Sequence, residues 1–232
     1  MSVVWIKVNR ENKTHSIYCD GRITKTNGEI VEENKCKFAQ VNIDGKNVLI
    51  GATGYTIHCD YIKNHIYEAF NDKTIQEVKE KYYPLFDFGR QINSIDDLLS
   101  LTEDKNYIGY VEEFLKHIFY KIFDKKIKNH KEDCLPYIIL SINGYLFKAE
   151  SYNVKEFTEE NEDYYELFFR YKQSNHIECG SGSPQIQAIL EYDINTDPQK
   201  ALNVVSSIDN CVNNHLFKLE NILFENEEKE IN

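Results

Sequence analysis

The second residue of the chain, Ser2, could combine a nucleophile and a base in one position. If Met1 were removed, Ser2 would carry a hydroxyl beside a free α-amine, and such an amine titrates at about pH 8. An adjacent base of this kind is one way in which a weak hydroxyl nucleophile is activated. The small Ser side chain permits ordinary Met removal. Because many chains begin Met-Ser without such chemistry, the hypothesis needs partner groups elsewhere.

The secondary-structure elements around Ser2 must position any such partner groups. The first part of the chain is predicted to form β-strands. Residues 3–8 form an apolar strand that pairs forward into residues 16–22, and Asp44-Gly45 separates two strands of a further hairpin. Apolar residues then recur at helical spacing over residues 57–70, 74–82 and 107–127. A short helix is also predicted over residues 95–101, and Ser94 would cap it.

β structure is predicted to resume in the second half, over residues 137–142, 145–149 and 164–171. An acidic loop, residues 156–163, precedes the last of these strands. A Gly-Ser-Gly-Ser-Pro turn at residues 180–184 opens a helix over 185–192, and Pro198 starts another helix. A closing strand over residues 217–224 ends this pattern.

Strands and helices therefore arrive in blocks, which favours largely antiparallel sheets over a strictly alternating α/β fold. The predicted class is α+β, with two stacked sheets flanked by helices in a four-layer αββα sandwich. We expect one domain over residues 1–224 and a disordered acidic tail over residues 225–232.

Composition excludes several classes of function. Asp and Glu number 38 against 27 Lys and Arg, for a net charge of −11, which argues against nucleic-acid binding. No apolar run approaches the roughly 18 residues of a membrane span. No basic-then-apolar leader precedes the first strand, so we expect a cytoplasmic protein. The six cysteines form no C-x-x-C pair and are expected to be reduced thiols, and we expect no metal and no cofactor.

Four short motifs accompany this order of elements. They are Asp-Gly-Arg-Ile-Thr at residues 20–24, Lys-Cys-Lys-Phe-Ala-Gln-Val at 35–41, Gly-Ala-Thr-Gly-Tyr at 51–55, and Gly-Ser-Gly-Ser at 180–183, which Ala188 follows. In this order and at this spacing, they resemble the proteasome β-subunit family and its bacterial relatives, the ring-forming peptidases. The order of secondary-structure elements resembles that of the family over most of the chain. The residues themselves resemble the family only in these four stretches.

The resemblance implies a role for each matched residue. In the family, the terminal hydroxyl attacks a peptide carbonyl, which gives this role to Ser2. The activating lysine would be Lys37, with Lys35 as the neighbour on the same strand face. Asp20 would keep that lysine charged and oriented, and the Gly54 N–H would hold the oxyanion.

The last matched residue, Ser181, would hydrogen-bond near the terminal amine. Each role has a purely structural alternative. Asp20 could be a turn carboxylate that binds its own backbone, Gly54 could serve only as a helix-entry turn, and Ser181 could be a helix N-cap.

The chain also departs from the family pattern. Serine stands where the family usually has threonine, whose methyl group fixes the hydroxyl rotamer. The family's Asp-x-x-Ser-Gly should fall near residues 211–217, where Asn213, Asn214 and His215 stand instead. A Gly-x-Asp in the middle hairpin is replaced by Asn143-Gly144-Tyr145.

Two functions follow as hypotheses. The first is a Ser/Thr-type N-terminal-nucleophile (Ntn) hydrolase that cleaves peptide bonds after Met removal, in a homo-oligomeric ring. The second is an inactive proteasome-like subunit that serves as an assembly or binding scaffold. An amidase of the same superfamily is a third option. No phosphate-binding Gly-x-x-x-x-Gly-Lys-Ser/Thr motif occurs, so an ATP-dependent unfoldase would be a separate chain.

Overall fold

Two antiparallel sheets form the middle of the molecule. The computed structural model describes residues 2–25, 27, 29–54, 56–82, 94–103, 106–127, 136–155 and 163–225. The strands are β1 (Val3–Asn9), β2 (Thr14–Asp20), β3 (Ile23–Thr24), β4 (Ile30–Glu32), β5 (Phe38–Ile43), β6 (Lys46–Thr53), β7 (Tyr137–Ile142), β8 (Tyr145–Lys155), β9 (Asp163–Lys172), β10 (His176–Gly180) and β11 (Leu216–Leu223).

One sheet has the strand order β10-β1-β2-β11 and the other β5-β6-β7-β8-β9, while β3 and β4 form a small separate hairpin. In the four-stranded sheet, β1 is central, with Val4 opposite Cys19 on β2 and Cys179 on β10. Both faces of β1 are covered, which explains why its sequence is apolar almost throughout and does not alternate.

The helices are α1 (Thr56–Phe70), α2 (Asp72–Tyr82), α3 (Ile95–Ser100), α4 (Ile108–Ile127), α5 (Ser183–Tyr192) and α6 (Pro198–Ile208), and a 3₁₀ turn covers Leu101–Glu103. Ser94 caps α3 as the sequence predicts, and Asp97 completes a capping box with it.

Three apolar clusters hold these layers together. Between the two sheets, Val4 and Ile17 pack with Leu49 and Ile139. On the other face of β1, Trp5 packs with residues of α5 and α6. The outer face of the five-stranded sheet is covered by residues of α1 to α4. The molecule is therefore a four-layer αββα sandwich, and the predicted fold class is confirmed.

Some elements differ from the sequence prediction. The short strand β10 was not predicted, and β8 runs six residues beyond the predicted end at Ala149. Residues 156–162 of the acidic loop and 226–232 of the tail lie outside the described residues. Glu225, at the start of that tail, pairs with Lys46 at 2.5 Å. No helix among the described residues is long and apolar enough to cross a membrane.

Candidate active site

A buried ion pair joins Asp20 and Lys37. The Lys37 Nζ donates to Asp20 Oδ1 at 2.7 Å and to the Asp20 carbonyl oxygen at 2.6 Å. Asp20 is 0% exposed and Lys37 is 6% exposed. Charges are rarely buried unless they are paired and hydrogen-bonded, and this pair meets both conditions. Since an ammonium has three N–H bonds, one remains for a group in the adjacent cleft.

The same carboxylate also holds the start of the chain. The Val3 N–H donates to Asp20 Oδ1 at 2.8 Å, and the Arg22 N–H donates to Oδ2 at 2.9 Å. Because the Val3 N–H and the Lys37 ammonium share one acceptor oxygen, their nitrogen atoms lie within about 6 Å of each other. Ser2, the residue before Val3, is therefore fixed beside the lysine.

Local backbone contacts place Lys37 where it can reach Asp20. Lys37 lies just before β5, its N–H donates to Cys19 Sγ at 3.3 Å, and its carbonyl oxygen accepts from the Ala52 N–H at 3.0 Å. These bonds tie it to β2 on one side and to β6 on the other. Asp20 ends β2, so the two charged residues meet where the two sheets come together.

A small cleft opens in front of this pair, and Ser2, Lys37 and Gly54 all line it. Its wall is completed by the start of α1, which contributes Cys59 and Lys63. Asp20 lies behind Lys37 and does not line the cleft. The fold therefore brings together four of the five residues that the sequence singles out.

Gly54 follows directly after β6, at the point where the chain turns towards α1. Its φ is +118°, a backbone conformation that glycine adopts far more readily than other residues. Gly54 is exposed and lines the same cleft as Ser2, which is itself buried.

The fifth residue, Ser181, comes directly after Gly180, the last residue of β10, which pairs with the start of the chain. Gly180 lies opposite Val3 in the sheet, and a Cβ at Gly180 would overlap the Ser2 carbonyl oxygen. Ser181 Oγ is buried and has no hydrogen-bond partner within the described part of the chain. It does not cap α5, whose N-cap is Gly182. Ser181 does not line the cleft.

The neighbouring Lys35 makes a different ion pair. Its Nζ lies 3.1 Å from Asp60 Oδ2, and Lys63 binds the other oxygen of that carboxylate at 2.9 Å. The hydrogen bonds and charges of the two lysines lower the pKa of Asp60, although partial burial acts in the opposite direction. Lys37, and not Lys35, is thus the lysine that shares a carboxylate with the start of the chain.

Asn213 stands next to Asp20, in the segment where the family motif has its acid. Its Oδ1 accepts from the Gly21 N–H at 2.9 Å, and its Nδ2 donates to the Glu33 carbonyl oxygen and to Glu33 Oε2, both at 2.9 Å. These bonds fix the segment after Asp20. Sequence reasoning noted Asn213 only as a departure from the motif and missed this supporting role.

Three thiols near the cleft differ in their protonation. A hydrogen bond from Cys19 lowers the pKa of Cys36 to about 6. Burial raises the pKa of Cys59 and that of Cys179 to about 12. Cys36 and Cys59 both line the cleft, and of the two Cys36 has the lowered pKa that favours a thiolate. No group of three or more His, Cys, Asp or Glu among the described residues is arranged to hold a metal ion.

Comparisons with known proteins extend the fold assignment. No protein-family model matches the chain, and no curated protein matches it. Among solved structures, a mutant form of Anbu from Hyphomicrobium sp. strain MC1 is similar over 97% of this chain and 84% of its own, with 10% identity and a TM-score of 0.51.

Two further structures are similar at a TM-score of 0.48. One is Anbu (ancestral beta-subunit) from Yersinia bercovieri, with 11% identity over 94% of this chain and 80% of its own. The other is the eukaryotic HslV of Trypanosoma brucei, with 15% identity over 93% and 97%. The chain shares its four-layer fold with the Anbu structure from Hyphomicrobium sp. strain MC1. At these identities the likeness concerns the fold alone.

Proposed function

We propose that this protein is a proteasome-like Ntn hydrolase that cleaves peptide bonds with Ser2 as its nucleophile after Met1 is removed. The observation that carries the proposal is the shared Asp20 carboxylate. One of its oxygens binds both the Val3 N–H and the Lys37 ammonium, which sets the residue before Val3 beside a buried cation at an open cleft.

The proposed reaction begins with proton transfer from the Ser2 hydroxyl to the freed α-amine, as the hydroxyl oxygen attacks the peptide carbonyl. The nearby Lys37 ammonium stabilises negative charge on that oxygen, and Asp20 keeps the ammonium oriented. A covalent acyl-enzyme forms when the amine half of the substrate leaves with a proton. Water then attacks the ester carbon and releases the second product.

Two further groups would complete the site. The Gly54 N–H is proposed to donate to the oxyanion of the tetrahedral intermediate, since its backbone is exposed at the cleft. Ser181 is proposed to bind near the freed amine, because its neighbour Gly180 lies against the Ser2 carbonyl and its own hydroxyl has no partner in the described chain.

The test combines the mass of the intact protein with hydrolysis of a panel of fluorogenic peptides. We expect a mass without Met1 and measurable hydrolysis. Ser2→Ala and Lys37→Ala should each lower the rate at least about 100-fold, because one removes the nucleophile and the other the charge beside it.

Lys35→Ala is the matched control, since Lys35 lines the same cleft but pairs with Asp60. It should retain most of the wild-type rate. Retained Met1, or equal rates in the wild type and in Ser2→Ala, would contradict the proposal.

We also propose that the chain, a single domain over residues 1–224, works as a homo-oligomeric ring served by a separate ATP-dependent unfoldase. Support comes from exposed apolar side chains on the outer helices, namely Tyr192 on α5 with Val204 and Ile208 on α6. Light scattering should give a multiple of the chain mass that falls when Val204 and Ile208 are both changed to Lys. A monomeric wild type would contradict this part.

A second candidate function is an inactive scaffold of the same fold. One observation favours it: in the segment near residues 211–217, where the resemblance predicts an acid, Asn213 stands next to Asp20 and its side chain is bound to Gly21 and Glu33. On this alternative the oligomer would form, and no peptide in the panel would be cleaved above the rate of Ser2→Ala.

A further inference from the structure

Two cysteines lie one residue before the two members of the buried ion pair. Cys19 precedes Asp20 at the end of β2, and Cys36 precedes Lys37 just before β5. Cys19 is fully buried, whereas Cys36 is half-buried and lines the cleft. Because Cys19 and Cys36 lie far apart in the sequence, they do not form a redox motif such as C-x-x-C.

The fold brings these two side chains together. The Lys37 N–H donates to Cys19 Sγ at 3.3 Å, and Lys37 N is bonded to the carbonyl carbon of Cys36. Chain geometry therefore puts Cys19 Sγ within about 6 Å of the Cys36 Cα. Cys36 Sγ lies 3.6 Å from the Phe38 carbonyl oxygen. From this position, rotation of the Cys36 side chain and local adjustment would bring the two sulfurs to the roughly 2 Å of a disulfide bond.

The surroundings shift the pKa values of the two thiols in opposite directions. The hydrogen bond from Cys19 lowers the pKa of Cys36 to about 6, and the Lys63 and Lys37 cations act in the same direction. Burial raises the pKa of Cys19 well above its ordinary value. Cys36 is therefore the more readily ionised of the two thiols and, as a thiolate, the nucleophile of the pair.

We propose that Cys36 and Cys19 form a modification site for hydroperoxides, in which Cys36 attacks the peroxide and Cys19 resolves the product into a disulfide. Cys36 is half-buried and lines the cleft, which gives a small peroxide a route to this residue. This proposal does not depend on hydrolase activity, because its product is read from the thiols themselves.

The reaction balances in two steps. The Cys36 thiolate attacks one peroxide oxygen, the O–O bond breaks as an S–O bond forms, and the departing alkoxide takes a proton from water to give an alcohol. Cys36 is then a sulfenic acid. Cys19 Sγ attacks the sulfenic sulfur, the S–O bond breaks, and the hydroxide leaves with the Cys19 proton as water. The two thiols lose two electrons and the peroxide gains them.

The oxidised form would alter the surroundings of Lys37. Cys19 Sγ accepts the Lys37 N–H, so a bond from that sulfur to Cys36 would link β2 covalently to the segment that carries the lysine. Oxidation would then change the position of the ammonium relative to Ser2.

The test uses the full chain, reduced and then treated with one equivalent of hydrogen peroxide at neutral pH. Peptide mapping without reductant should find the Cys19 and Cys36 peptides linked, with the loss of two hydrogen atoms. In Cys19→Ser the sulfenic acid at Cys36 should persist and be captured by dimedone. Cys36→Ser should give neither product, and Cys211→Ser should keep the linkage.

A second measurement compares thiol alkylation at pH 6. At that pH a thiol with a pKa near 6 has about 150 times the thiolate fraction of an ordinary cysteine. Its lower intrinsic nucleophilicity removes about a factor of ten, so Cys36 should react with iodoacetamide about tenfold faster than free cysteine in the same solution. Equal alkylation rates, or a wild-type map in which Cys36 is unmodified or linked elsewhere, would overturn the proposal.

Discussion

Lys37 and Asp20 form a buried pair whose members depend on each other. Neither side chain reaches bulk water to any useful extent. The Asp20 carboxylate also accepts hydrogen bonds from the Val3 and Arg22 N–H groups, which offset part of the free-energy cost of burying its charge. Removing one member of such a pair leaves the other as an uncompensated buried charge, which costs much more than the net value of the pair.

Lys37→Met should therefore destabilise the fold by about 3–5 kcal/mol, because it keeps the side-chain length and removes the charge beside Asp20. Urea unfolding at pH 7 measures this change. Lys35→Met is the control and should cost under about 1 kcal/mol, since its pair with Asp60 is part-exposed. The double variant with Asp20→Asn should recover much of the loss. Equal costs for the two lysines would contradict the assignment.

Asn213→Asp tests whether the missing family acid can simply be restored. Asp cannot donate to Glu33, so two hydrogen bonds would be lost and a carboxylate would face the Glu33 side chain. We expect a lower midpoint in urea unfolding and no gain in peptide hydrolysis. Asn214→Asp, at an exposed neighbour, should be close to neutral. A faster enzyme from Asn213→Asp would show that Asn213 weakens catalysis.

At the scale of elements, the start of β1 is held by β10 as well as by Asp20. Gly180 on β10 pairs with Val3 and lies against the Ser2 carbonyl. Its φ is +100°, so a side chain would be strained there even if space were made. This glycine allows the first residues of the chain to lie flat against the sheet.

Gly180→Ala should lower the melting temperature and the rate of peptide hydrolysis together, because a Cβ would push Ser2 away from the cleft. The strain of a left-handed alanine is worth about 1–2 kcal/mol before the overlap is counted. Gly109→Ala is the matched control: a Cβ there meets nothing within 4 Å, and α4 should gain up to about 1 kcal/mol. A Gly180→Ala variant as active as the wild type would contradict this account of Ser2.

Sequence patterns predicted most of the elements because local signals agreed with the tertiary structure. The apolar residues of β1, the Asp44-Gly45 hairpin and the Ser94 cap each kept their predicted roles. The strand β10 escaped prediction because His176 and Glu178 interrupt its apolar pattern. These two side chains pair with each other at 3.2 Å, a contact that only the folded strand creates.

The candidate site could be predicted only where short sequence motifs resemble those of a known family. Asp20 and Lys37 could be named together because each lies in a recognisable stretch. The supporting contact from Asn213 could not be predicted in this way, because Asn213 and its partner Gly21 lie 192 residues apart in the sequence. The contact between Cys19 and Cys36 likewise depends on how β2 meets the segment before β5.

At the scale of the whole molecule, His15 links stability to pH. It lies between the two sheets, 1% exposed, with Nδ1 2.8 Å from Ser141 Oγ. Its Nε2 has no partner among the described residues. Burial lowers the pKa of His15 to about 4. The folded state therefore keeps this ring neutral at pH values where the unfolded chain binds a proton.

Stability should fall as the pH falls from about 6.5 to about 4, because over this range the unfolded state binds the extra proton. Between pH 7 and pH 5, His15 should account for about 2 kcal/mol of the decrease in the free energy of unfolding. Urea unfolding at both pH values, in the wild type and in His15→Gln, measures this share. A decrease of equal size in both proteins would contradict the assignment to His15.

The central claim is that a freed Ser2 hydroxyl is activated beside Lys37, and covalent capture tests it most directly. The protein is treated with a β-lactone, which acylates an activated hydroxyl, and the adduct is located by peptide mapping. The account predicts one adduct, on Ser2 of a chain without Met1, and its loss in Lys37→Met that is still folded. A chain that retains Met1, or one labelled equally at Ser2 with and without Lys37, would contradict it.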